Sequence, residues 1–135
     1  MKNIFENARN TYLSEGEFEI LILSYPLYLV ATADGDFDEA ENEILSTVLL
    51  NFIESVYGDN ISQEDKNNMV TNYLADFEFL QLNQKEFKVP FLELLRKYDQ
   101  EVKSSIKDLI KEVAETSNGV AVSEKNMIDY INSFL

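Results

Sequence analysis

The chain has 135 residues, of which 25 are Asp or Glu and 11 are Lys or Arg, giving a formal net charge of −14 at pH 7. This length favours a single domain over residues 1–135, because one domain usually takes up ~100–200 residues, and a hydrophobic fraction of 45% is enough for a packed core. The chain contains no His, Cys or Trp. That composition excludes a Ser-His-Asp triad, a cysteine nucleophile, a disulfide and a zinc site of the usual imidazole or thiolate kind.

The first elements in chain order are an N-terminal extension helix over 1–16 and a strongly apolar segment. Met1 to Glu6 lack the apolar core of a signal peptide. The longest apolar run, Ile20 to Ala33, has 14 residues and is too short to span a bilayer. We therefore expect a cytoplasmic protein without membrane insertion. Because the run is apolar nearly all round, it predicts a helix enclosed by others, and Pro26 either kinks it or divides it into two.

Helical spacing continues through the rest of the chain. Apolar residues between 44 and 57 recur at i, i+1, i+4 and i+5, Gly58 marks the end of that helix, and Ser62 opens the next. Pro90 is expected in the first turn of a later helix that runs to about Tyr98. No stretch alternates at period two. The predicted fold is an all-α single-domain bundle of six to eight helices around the buried apolar helix, with two pseudo-repeated helix-turn-helix halves.

One segment is far more acidic than the rest, because six acids and no base fall within the ten residues from Asp34 to Glu43. A structural interpretation accounts for several of them. Asp34 and Gly35 end the preceding helix, with Gly supplying the left-handed conformation, and Asp38 caps the next helix in a capping box with Glu41. This interpretation does not require an acid at Asp34 or at Asp36.

The same segment is also a candidate site for a hard cation. Asp34, Asp36 and Asp38 alternate as at the start of a calcium loop, and Glu41 on the first helical turn can point back at them. The positions at which an EF-hand needs Gly and Glu hold other residues, so an EF-hand is excluded. A Ca²⁺, Mg²⁺ or Mn²⁺ ion held by oxygen ligands remains the open alternative to capping, and no zinc is expected.

A weaker copy of this turn lies near the C-terminus. Asn118 and Gly119 match Asp34 and Gly35, and Ser123 matches the N-cap Asp38. The acids are not repeated, and this alignment places Asn126 where the first copy has its glutamate. The second copy is therefore predicted to be structural.

These residues resemble the tellurite-resistance TerB-like family of bacterial all-helical domains. The resemblance rests on an apolar helix ending in Ala-x-Ala-Asp-Gly at 31–35, followed by acid-apolar-Asp-x-x-Glu at 36–41, and on the degenerate second copy. It implies a non-enzymatic module of bacterial stress response, phage defence and colicin resistance that binds a divalent cation and acts as a scaffold. Carried over by position, the family's acidic residues fall on Asp34 and Glu41, with Asp36 and Asp38 as local additions.

The distribution of charge suggests a second function class. Residues 1–80 carry 16 acids and 3 bases, whereas residues 81–135 carry 9 acids and 8 bases. A chain this acidic repels phosphate backbones. We therefore expect protein partners with a basic surface and no direct binding of nucleic acid. The alternative function is an acidic immunity or inhibitor protein that masks the basic groove of a nuclease. No pair of acids stands out as a catalytic dyad, so an enzyme is not predicted.

An apolar stretch near the middle of the chain allows two interpretations. Phe77, Phe79, Leu80, Leu82 and Phe87 run through a predicted helix end. Their spacing favours the core, and a docking patch for a partner is the alternative.

Overall fold

Helices make up almost all of the regular structure. The computed structural model describes residues 2–33, 35, 38–116 and 122–135, and within these ranges it has seven α-helices and no strand. The helices are α1 (Lys2–Arg9), α2 (Glu15–Ala31), α3 (Glu39–Tyr57), α4 (Gln63–Leu82), α5 (Gln84–Glu93), α6 (Gln100–Thr116) and α7 (Val122–Asn132). Short 3-10 segments, Gly58–Asn60 and Leu94–Lys97, follow α3 and α5. The predicted all-α bundle of six to eight helices in one domain is confirmed.

Helix α2 is the centre of the bundle, as its apolar pattern predicts. It packs against α3, α4, α5, α6 and α7, and every residue from Ser24 to Ala31 is buried. The buried hydroxyl of Ser24 donates to the carbonyl of Ile20 one turn earlier. An all-round apolar helix is stable in water only when other helices cover all its sides, which is the arrangement found here.

Pro26 does not divide this helix. Helix α2 runs without interruption from Glu15 to Ala31, with Pro26 in its interior. Proline has no amide hydrogen, so the carbonyl of Ile22 loses its usual helical donor. The surrounding helices bury Pro26 and its neighbours, and this packing keeps the segment as one helix.

The N-terminal extension helix predicted over residues 1–16 is shorter in the structure, and it packs against the core. Helix α1 ends at Arg9, and α2 already begins at Glu15, where Ser14 and Glu17 form a capping box. Phe5 of α1 is fully buried. It is the centre of an aromatic cluster in which its ring centroid lies 5.5–6.4 Å from those of Phe18, Phe79, Phe87 and Phe91. Edge-to-face contacts of this kind add to the stabilisation from burial.

Two further helix ends lie where the sequence predicts them, whereas one proline lies at a different helix position from the predicted one. The Ser62 hydroxyl accepts from the amide of Asp65, 3.1 Å away, at the start of α4. Gly58 ends α3 with φ of +57°, a conformation that favours glycine. The prediction for Pro90 is wrong, because α5 begins at Gln84 and Pro90 lies in its interior. The turn at Asn83 is so tight that α5 starts one residue after it, well before the proline.

Candidate functional site

Two of the four predicted cation ligands, Asp38 and Glu41, form a capping box at the start of α3. Asp38 Oδ1 accepts from the Glu41 amide at 2.8 Å, and Glu41 Oε1 accepts from the Asp38 amide at 3.4 Å. Asp38 is exposed, whereas Glu41 is only 1% exposed. The capping interpretation is thus confirmed for these two residues, and each uses one carboxylate oxygen to hold the helix start.

The other two predicted ligands, Asp34 and Asp36, lie outside the described residues. Gly35 between them has φ of +83°, the left-handed conformation expected where this glycine ends a helix. Within the described ranges, no three acidic side chains are grouped so that they could hold a metal ion. The cation site at Asp34, Asp36, Asp38 and Glu41 therefore stays a prediction.

The second copy of the turn has a different register from the one that the sequence alignment assigned. Asn118 and Gly119 lie outside the described residues. Helix α7 begins at Val122, so Ser123 and Asn126 lie inside the helix, and the assignment of Ser123 as N-cap is wrong. The residue that corresponds to Glu41 is Glu124, because each is the third residue of its helix and each is 1% exposed. Helices α3 and α7 thus each have a buried glutamate at their third position.

The surface of the N-terminal part of the fold is almost purely acidic. Arg9 and Lys66 are the described basic side chains among residues 1–80, and each lies beside a carboxylate. Lys66 is itself buried, with Nζ 3.8 Å from Glu54 Oε1. The exposed carboxylates of this part are those of Glu15, Glu19, Asp38, Glu39, Glu43, Glu54, Asp59, Glu64, Asp65 and Glu78. Their negative field is therefore balanced by few neighbouring cations.

A polar cavity of about 200 Å³ lies where the end of α1 meets the start of α2 and the middle of α4. Arg9 Nε donates to Asp76 Oδ1 at 3.1 Å, which ties α1 to α4. The Tyr73 hydroxyl donates to the Glu17 carbonyl at 3.1 Å, which ties α4 to α2. Two hydrogen bonds between residues far apart in the chain thus define the walls of this cavity.

Asp76 is the most perturbed acid at this cavity. It is 4% exposed, and burial raises its pKa from 3.8 to about 6. The charge and the hydrogen bond of Arg9 oppose this rise in the pKa, and the negative charge of Glu17 adds to it. Burial also raises the pKa of the Tyr73 hydroxyl, with a further contribution from Glu17. The net effect shows that Arg9 offsets only part of the cost of placing a carboxylate here.

A second, larger groove of about 320 Å³ runs between α2 and the 3-10 segment after α5. Phe18 and Ile22 lie in its wall, and both are buried. At its edge, Tyr98 donates a hydrogen bond to Glu19, and burial followed by the charge of Glu19 raises the pKa of Tyr98. The groove combines an apolar wall with acidic side chains, and none of the described polar side chains that line it is deeply buried.

The apolar stretch at the end of α4 belongs mostly to the core. Phe77, Leu80 and Phe87 are at most 1% exposed, and Phe79 packs against the core. Leu82 differs, with 79% exposure. The core interpretation is confirmed for every member except Leu82.

Sequence reasoning missed Arg9 and Asp76. A signal for Asp76 exists, because it lies in the helical apolar series formed by Tyr73, Phe77 and Leu80, where an acid must be buried. Arg9 is one of three bases in the acidic first 80 residues. Nothing in the sequence pairs the two, because 67 positions separate them.

None of the helices in the described part of the chain has the length and apolar character required to cross a bilayer. Comparison of the chain with protein-family models, with curated proteins and with solved structures finds no match.

Proposed function

We propose that this protein is a non-enzymatic interaction module that binds a basic protein surface through the exposed carboxylates of α2, α3 and α4. The observation that carries the proposal is the lack of balancing charge among residues 4–80, where the described bases, Arg9 and Lys66, are both placed beside acids. A surface of one sign attracts and orients a partner of the opposite sign. A nuclease with a basic groove is one such partner, since the carboxylates of this protein can occupy that groove in place of the phosphates of nucleic acid.

The test compares two variants that have lost the same number of charges. The first changes Glu15, Glu39, Glu43 and Glu64 to Gln on the acidic part. The matched control changes four exposed acids of the C-terminal part in the same way: Glu86→Gln, Glu101→Gln, Asp108→Asn and Glu115→Gln. All eight side chains are exposed, so neither variant alters the core.

Binding is measured by titration calorimetry against a panel of purified basic nucleases, at several salt concentrations. We expect a saturable complex whose Kd rises steeply with salt, as expected for exposed charges, and which the first variant weakens far more than the control. Equal weakening by the two variants would mean that only net charge matters and would overturn the proposal. If no nuclease of the panel shows saturable binding, the proposal that the partner is a nuclease is also overturned.

A second candidate function is binding of a divalent cation at Asp34, Asp36, Asp38 and Glu41. It is supported by the clustering of acids in the sequence and by the exposed position of Asp38 beside this turn. The resemblance to TerB-like domains points to two of these residues, Asp34 and Glu41, and to a role in stress response or phage defence. Calcium, magnesium and manganese are the ions that fit an all-oxygen donor set.

Thermal melting in the presence of each ion tests this candidate. A bound ion raises Tm because it binds the folded state. We expect the increase to disappear in the double variant Asp34→Asn/Asp36→Asn and to persist in a control with Asp59→Asn/Asp65→Asn. No change in Tm with any of the three ions at millimolar concentration would exclude the site and leave the acidic-surface proposal in place.

A further inference from the structure

The cavity between α1, α2 and α4 brings together charges that do not balance. Its lining includes the carboxylates of Glu17 and Asp76 and the single guanidinium of Arg9. Arg9 Nε is already committed to Asp76 Oδ1, and Glu17 uses Oε1 to accept from the Ser14 amide at 3.1 Å. The formal charge of these three side chains is therefore −1 when Asp76 is ionised, in a protein whose net charge is −14.

Burial makes this residual negative charge costly. Asp76 is almost completely buried, and its pKa is raised to about 6 although Arg9 is in contact with it. Glu17, on the opposite element, raises the pKa further because its charge has the same sign. A second positive charge entering the cavity would offset both effects. An anion would be repelled by the two carboxylates and by the net charge of −14 of the protein.

The size and the walls of the cavity restrict what can enter. Pockets for drug-sized ligands measure about 300–1,000 Å³, whereas this cavity measures about 200 Å³. Tyr73 and Met69 provide aromatic and apolar wall area, and the exposed Tyr12 lies at the same cavity. Tyrosine rings attract organic cations that approach their faces. The walls thus suit a cationic head group on a short alkyl chain better than a hydrated metal ion.

We propose that this cavity binds one alkylammonium or alkylguanidinium group, with Glu17 and Asp76 as the counter-charges and Tyr73 as part of the wall. Such a group can come from a lysine or arginine side chain of a protein or from a free amine, and the two sources share the same chemistry. The site is separate from the exposed carboxylates of the proposed function, so either can fail without the other.

NMR titration of the full chain labelled with ¹⁵N tests the proposal. The probes are n-butylguanidinium, n-butylammonium and the neutral 1-butanol, with N-acetyl-arginine N-methylamide as a mimic of a protein side chain. We expect saturable shifts of the Asn72, Tyr73 and Asp76 amides with the cations and none with the alcohol. Tighter binding of the arginine derivative identifies a protein side chain as the source, and tighter binding of the simple amine identifies a free amine.

Two variants and a matched control assign the binding to the two carboxylates. Glu17→Gln removes one charge but keeps an oxygen for the Ser14 amide, so the capping box is retained. Asp76→Asn removes the other charge and keeps an oxygen for Arg9. We expect each to weaken binding about tenfold, as estimated for loss of a charged hydrogen-bond partner. Glu78→Gln, which removes an exposed carboxylate on the same helix, should leave the affinity unchanged.

The pH dependence gives a readout that a merely structural role would not change. Arg9 on α1, Glu17 on α2 and Tyr73 on α4 are the ionisable groups that face Asp76. Because Asp76 takes up a proton as the pH falls through about 6, the cation should bind more weakly at pH 5 than at pH 7.5, and Asp76→Asn should show a smaller change. Binding that is equal for cation and alcohol, or equally weakened in Glu78→Gln, would overturn the proposal.

Discussion

Replacing Asp76 with asparagine tests the electrostatic cost of burying this carboxylate. The side chain is 4% exposed, and its pKa is raised from 3.8 to about 6 because burial outweighs the attraction of Arg9. A carboxyl whose folded pKa lies above its unfolded pKa binds its proton more tightly in the folded state. Its ionisation therefore reduces the free energy of unfolding as the pH rises from about 4 to above 6. The asparagine amide cannot ionise, so Asp76→Asn should lack this loss.

The size of the effect follows from the difference between the two pKa values. A rise from 3.8 to about 6 corresponds to about 3 kcal/mol at ~1.4 kcal/mol per pKa unit. About half of this, ~1.4 kcal/mol, is expressed between pH 5 and pH 7.5 by the linkage relation. This interval avoids the sequence pI of about 4.2, near which the protein carries little net charge and self-association is favoured.

Urea unfolding followed by far-UV circular dichroism at pH 5, 6 and 7.5 measures the free energy of unfolding of both proteins. We expect the wild-type protein to lose about 1.4 kcal/mol relative to Asp76→Asn over this interval. Glu78→Gln, with an exposed side chain on the same helix, should follow the wild type. If instead the wild type becomes more stable than Asp76→Asn as the pH rises, the attraction of Arg9 outweighs burial and the reasoning is refuted.

Four further substitutions test single contacts, each by urea unfolding at pH 7.5. Asp38→Ala should cost about 1 kcal/mol through loss of the N-cap, and a cost equal to zero would show that the cap is dispensable. Gly16→Ala should stabilise the protein by about 0.5 kcal/mol through helix propensity. The added Cβ would lie 3.3 Å from Val56 Cγ1, and the Val56 side chain can move aside because it is half exposed. A marked loss of stability would show that Val56 cannot move. The Tyr25 hydroxyl is buried without a hydrogen-bond partner among the described residues, so Tyr25→Phe should be neutral or stabilising, whereas Tyr73→Phe should cost about 1 kcal/mol. The opposite order would contradict the assignment of these hydrogen bonds.

Features that depend on neighbours in the chain could be read from the sequence. Ser62 and the pair Asp38 and Glu41 cap helices through contacts three residues apart. Gly58 ends α3 because a residue without a Cβ adopts its positive φ most easily. Errors arose where a local rule had two solutions, as at Pro90, which a helix tolerates in its first turn but which here lies in the interior of α5. Packing of Phe87 and Phe91 in the core keeps that helix intact around the proline.

The candidate site likewise has some features that the sequence predicts and others that only the tertiary structure shows. The sequence marked the acidic segment around Asp38 and excluded thiolate and imidazole chemistry, since both are properties of composition and short spacing. It could not show that Glu41 and the third residue of α7, Glu124, are both buried, because burial depends on how helices far apart in the chain pack together.

The sequence by itself determined the all-helical class, the central position of α2 and the excess of acid in the first 80 residues. These follow from hydrophobic periodicity and charge, which every residue contributes independently of distant partners. The tertiary structure alone decided that Phe5 is buried in an aromatic cluster and that Arg9 meets Asp76. Such contacts join residues far apart in the chain, and their energies depend on burial, which exists only once the helices have packed.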